Sequence, residues 1–159
     1  MIKQILNMIV IGILVGFVIF SFQANQVDPV VDDQITQIVE DWKEDVSTVG
    51  LDGNELIKRI DKIKIVERIP IGLFNSRSTD GVIGRFDYST RSIYILARKY
   101  EEHQLKALVY HEIGHYLFNL NHTDGEYIMS TYISEDKGYY KNNWDNLLPK
   151  YLEKCKESR

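Results

Sequence analysis

Two histidines four residues apart, His111 and His115, enclose Glu112 in the run HEIGH, and His122 follows a few residues later. On a helix, residues four apart lie about one turn apart on the same face, so both imidazoles can reach one ion. Zn2+ takes neutral imidazoles at roughly 2 Å and, in a catalytic site, keeps one position for water. Glu112, rotated by one residue from His111, is set to accept a proton from that water rather than to ligate. Such a set hydrolyses an amide without a covalent intermediate, the carboxylate passing the proton on to the leaving amine. The expected metal ligands are therefore His111, His115 and His122, with Glu112 as the general base.

The third ligand is read from its softness and its position. His122 lies just past the expected end of the helix, where Asn119, Asn121 or Gly125 can turn the chain back towards the ion. Asp124 and Glu126 are the alternative donors, the first otherwise capping a turn with Gly125 and the second otherwise solvated.

The segment from His111 to Met129 resembles the metzincins, zinc endopeptidases with HExxHxxGxxH followed by a methionine-containing turn. His111, Glu112 and His115 match, and Met129, seven residues after His122, looks like the methionine of that turn. Two positions depart: Phe118 stands in the place of the family glycine, and the last histidine comes one residue late, with Asn121 where a strict match has it. The resemblance implies a zincin-like fold, Zn2+ held by His111, His115 and His122, Glu112 as base, and Met129 as the hydrophobic floor. It further implies a peptide laid extended along an edge strand above the helix. Tyr132 stands one residue from where metzincins often set a tyrosine that supports the transition state. Read from the residues alone, Met129 is also an ordinary core methionine and Tyr132 a packing or surface tyrosine. The metallopeptidases that cleave phage repressors also place a hairpin before a segment much like HEIGHYLF. Their downstream acidic, alanine- and phenylalanine-rich helix is missing from this sequence.

These residues need a frame. A helix from about Glu101 to Phe118 is expected, with Leu105, Val109, Ile113 and Leu117 as one apolar stripe and the two histidines roughly 200° round from it. Val82 to Tyr88 and Ser92 to Leu96 read as a hairpin and as the candidate edge for substrate. Ile63 to Ile71 reads as a strand that ends or lies at an edge near Pro70, followed by a loop from Gly72 to Gly81. Asp28 and Pro29 are expected to start a docking helix that carries Val31, Ile35, Ile38, Val39, Trp42 and Val46 on one face and stops at Gly50. Asp52 and Glu55 start a second, short helix, and Trp144, Leu147, Leu148, Tyr151, Leu152 and Cys155 form an amphipathic C-terminal face kinked or restarted at Pro149. The expected class is α+β: a short, mostly antiparallel sheet packed on the HExxH helix, plus an N-terminal hydrophobic helix.

Composition bounds the partners. A chain of 159 residues holds one domain, expected over 28–159, behind a separate segment at 1–24. With 23 acidic against 19 basic residues and no basic block, nucleic acid is excluded as the expected partner, while the peptide or protein substrate is what the HExxH segment and its resemblance imply. Cys155 is the single cysteine, so an internal disulfide is impossible, and it is expected as a half-buried helix residue. Lys3 precedes a stretch from Ile5 to Phe22 that is apolar except for Asn7 and Ser21. It reads as an uncleaved membrane anchor or a cleaved signal peptide, with the domain outside the cytoplasm in either case. The functional expectation is an exported or membrane-anchored zinc peptidase; the alternative is a membrane-tethered binding module whose zinc site is structural or inactive.

Overall fold

The computed structural model describes residues 28–69, 83–125, 127–136 and 138–159. The expected segment at 1–24, the loop from Gly72 to Gly81, the strand end at Pro70 and the alternative ligand Glu126 lie outside the described residues. Among the described residues no helix is long and apolar enough to cross a membrane.

The chain runs β1 (Val30–Val31), a 3-10 turn (Asp33–Ile35), α1 (Thr36–Ser47), α2 (Gly53–Ile57), β2 (Lys62–Val66), β3 (Gly84–Asp87), β4 (Ser92–Leu96), α3 (Glu102–Phe118) and α4 (Tyr139–Glu157). The class is α+β, as expected from the pattern. The sheet corrects one part of that expectation, because it is mixed rather than mostly antiparallel. Its order is β1-β2-β4-β3, with β1 on β2 and β2 on β4 parallel and only the β3–β4 hairpin antiparallel.

The first strand explains a second correction. Asp28 and Pro29 do not start a helix, because Val30 and Asp32 donate their amides to the carbonyls of Asp61 and Ile63 at 2.9 and 3.0 Å and so extend the sheet. Asp32 becomes the cap instead, its carboxylate accepting from the Gln34 amide at 3.2 Å. A β-branched pair whose backbone groups find partners across a sheet is held extended whatever follows it. The Asp52 start of α2 is as expected, with its side chain accepting from the Glu55 amide at 3.0 Å. β2 ends at Val66, short of the expected Ile71.

Alternation in the sheet sends Ile63, Ile93 and Ile95 into the core, each fully buried. Across that core stand Ile35, Val39, Trp42 and Val46 of α1 and the turn before it, with Tyr151, Leu152 and Cys155 of α4. Cys155 is fully buried rather than half-buried, and burial pushes its thiol up to about 12, so it is inert. α4 continues through Pro149 without a break in the helix.

α3 is the central element, packed against β3, β4, α1 and α4. Glu101 caps it with a reciprocal pair in which its own amide donates to the Gln104 side chain at 3.0 Å. Its middle is not the one-sided helix that a single apolar stripe implies: every position from Ala107 to Gly114 is buried, His111 and the acid Glu112 included.

Candidate metal centre

Each helix imidazole is steered by a backbone carbonyl. Nδ1 of His111 meets the carbonyl of Ile128 at 2.8 Å, and Nδ1 of His115 meets that of Leu120 at 2.5 Å. A carbonyl oxygen only accepts, so both Nδ1 atoms carry the proton and both Nε2 atoms present a lone pair. Those lone pairs point at one another, with 2.9 Å between the Nε2 atoms of His111 and His115. Nε2 of His122 completes the triangle at 3.2 Å from His111 and 3.0 Å from His115.

Two acceptors at 2.9 Å repel, and a single proton on His122 could serve only one of them. One cation at the centre satisfies all three. Ligands at roughly 2.0–2.1 Å in a tetrahedral array are separated by about 3.3–3.4 Å, a few tenths more than the edges found here. The donor set therefore fits a metal ion, and among the described residues these three histidines are the group able to hold one. Asp124 is exposed and takes no part in it.

The loop that brings His122 back is built by two features. α3 stops at Asn119, whose backbone is left-handed at φ 51°, and the Leu120 carbonyl then faces His115. Beyond Gly125, also left-handed at φ 95°, the chain folds on itself through Thr123 donating to Met129 at 2.9 Å, and this presents the Ile128 carbonyl to His111.

Electrostatics favour neutral ligands. Burial lowers His111 to about 4, with the His115 and His122 rings adding to the effect and the Ile128 carbonyl opposing it. His115 is lowered too, chiefly by burial. Burial also pushes Glu112 up to about 8, since its carboxylate is almost wholly withdrawn from water. A cation beside these groups would favour the charged carboxylate and oppose that shift.

Glu112 and His111 open onto a cleft of about 310 Å3. Ile83 and Gly84 on the β3 side, Ala107 and Leu108 of α3 and the segment from Ser130 to Ile133 line it with them. Tyr132 stands on this rim, 82 % exposed. Met129 is buried against α3, where a methyl group added to Gly114 would come within 3.0 Å of its sulfur and 3.1 Å of the Tyr151 ring.

Reasoning from the sequence did not single out Gly84, Gly114 or the two steering carbonyls. The glycines carried a legible signal, one inside a β-branched run and one inside a helix, both marks of a close approach. The carbonyls of Leu120 and Ile128 carried none, because any residue supplies one. Compared with protein-family models, curated proteins and solved structures, the chain has no match.

Proposed function

We propose that this chain is a zinc-dependent peptidase that hydrolyses peptide bonds with Glu112 as general base. The observation that carries the reading is the convergence of three Nε2 lone pairs, at 2.9 to 3.2 Å, beside an acid that opens onto a cleft. Imidazole suits several transition metals, and zinc, which has no redox chemistry, is a common choice for hydrolysis at an open three-ligand site. When bound, zinc acts as a Lewis acid that polarises the scissile carbonyl and brings the pKa of a coordinated water towards ~7.

The chain's own residues divide the remaining work. Glu112 takes the proton of the attacking water and delivers it to the leaving amine. The Ile128 and Leu120 carbonyls keep His111 and His115 in the tautomer that ligates. Among the described residues β3 is an edge strand and supplies a backbone along which an extended peptide can pair, with Tyr132 on the same cleft as the side chain assigned to a developing oxyanion.

The resemblance to the metzincins gains support from the position of the turn. Asn119 is left-handed three residues before His122, the same interval that separates glycine from the last histidine in HExxHxxGxxH. The extra residue thus falls before the turn, and it carries turn and ligand along together. Placement of the domain outside the cytoplasm, anchored or secreted, is supported by the apolar stretch from Ile5 to Phe22.

Metal analysis and proteolysis of the purified full chain and of Glu112→Gln test the reading together. Zinc in both proteins, with cleavage of a broad peptide set by the wild type and at least ~100-fold less by the variant, is the expected result. Zinc in both with no cleavage by either favours the binding module with a structural site, and no metal in either removes the metal centre.

A further inference from the structure

Gly84 opens β3 at the point where that strand passes over α3. A Cβ built on Gly84 would overlap the Glu112 carboxylate, meeting Oε1 and lying 2.7 Å from Cδ and 2.8 Å from Cγ. The backbone of Gly84 therefore lies directly against the length of the Glu112 side chain. No described residue hydrogen-bonds that carboxylate, so its place is set by what packs on it. It lies between α3 and the start of β3, and both residues line the cleft.

Resting on the peptidase reading, we propose that Gly84 is a positioning residue for the general base: the missing side chain is the space in which the Glu112 carboxylate is held. The groups a Cβ would strike belong to one flexible side chain and not to backbone, so Gly84→Ala leaves the fold a way to adjust. The adjustment it leaves is a different Glu112 rotamer, swung from the wall towards the cleft. The histidines are untouched, since no atom of His111, His115 or His122 is among the nearest neighbours of that Cβ. The substitution should therefore separate metal binding from base catalysis.

A double-mutant cycle on the full chain decides it, using wild type, Gly84→Ala, Glu112→Ala and the double variant. Thermal midpoints of the metal-free proteins give a readout independent of activity. Gly84→Ala should lower the midpoint by several degrees when Glu112 is present and leave it equal or higher in the Glu112→Ala background, because the substitution stiffens the strand once the clash is gone. Equal shifts in both backgrounds overturn the proposal, as does a double variant that fails to fold, since the added methyl then collides with something other than Glu112. The zinc-loaded Gly84→Ala protein should keep its full metal complement and lose roughly 100-fold in kcat with KM little changed. A KM effect alone, or loss of zinc, contradicts the positioning role. Should the wild type cleave nothing, the peptidase reading falls by itself, and the thermal cycle still decides whether Gly84 holds Glu112.

Discussion

Removing His122 should cost stability only when metal is present. Its ring is exposed, and its neighbours at the site are the other two Nε2 atoms, so in the metal-free protein His122→Ala gives up no buried contact. Exposed substitutions of that kind fall within about 0.5 kcal/mol, and here the loss also relieves crowding among lone pairs. With zinc the balance changes. At free zinc ~1,000-fold above its dissociation constant, binding contributes about 4.1 kcal/mol to the folded state. For a domain of this size each kcal/mol moves the melting temperature by roughly 2–4 °C, so zinc should raise the wild-type Tm by roughly 8–16 °C. His122→Ala should lose most of that rise while its Tm in chelator stays within about 2 °C of wild type. Differential scanning fluorimetry of both proteins, with chelator and across a zinc titration, measures all four quantities. A Tm that falls equally in chelator and in zinc would refute the reasoning, because His122 would then act by packing. So would a wild-type Tm indifferent to zinc.

Three further outcomes follow from contacts around the site. Gly114→Ala forces a methyl against Met129 and Tyr151 at 3.0 and 3.1 Å, and should destabilise by about 1–3 kcal/mol in urea unfolding as overpacking does. Tyr151→Phe removes a hydroxyl that accepts from the Trp42 indole at 3.1 Å and donates to the Tyr110 carbonyl at 2.8 Å. The stranded indole N–H should cost about 1–3 kcal/mol by the same assay, with metal content unchanged. Asp41 is held below the usual carboxylate range first by the Gln37 amide and then by the Lys106 ammonium. Its stabilising contribution is thus complete above the unfolded-state value and is lost as pH falls through the lower folded value. Asp41→Asn should flatten the acid side of the stability curve below about pH 4 and leave its shape at neutral pH unchanged.

What the sequence made legible was local. HEIGH announced its helix and the pairing of its two imidazoles because histidine spacing and helical period coincide, and the β3–β4 hairpin announced itself because its strands are neighbours in the chain. The parallel pairings of β1 with β2 and β2 with β4 left no such mark. They join segments separated by helices or by β3, and nothing in Val30 and Val31 says which backbone they will meet. The same holds for the helix start misplaced at Asp28, where distant carbonyls outweighed a good local capping signal. At the site the ligands were readable as residue types, while the carbonyls that fix their tautomers were not. The single apolar stripe on α3 underestimated its burial, since Tyr110 and Glu112 are enclosed by elements the periodicity of one helix cannot report.

The central claim is a metal centre with one position open for water, and zinc-edge X-ray absorption of the loaded, substrate-free protein tests it most directly. Three imidazole nitrogens from His111, His115 and His122 at ~2.0–2.1 Å, together with one exchangeable light-atom ligand, are the predicted shell. A shell closed by four protein ligands would contradict the account, as would a spectrum that keeps three imidazoles after His122→Ala.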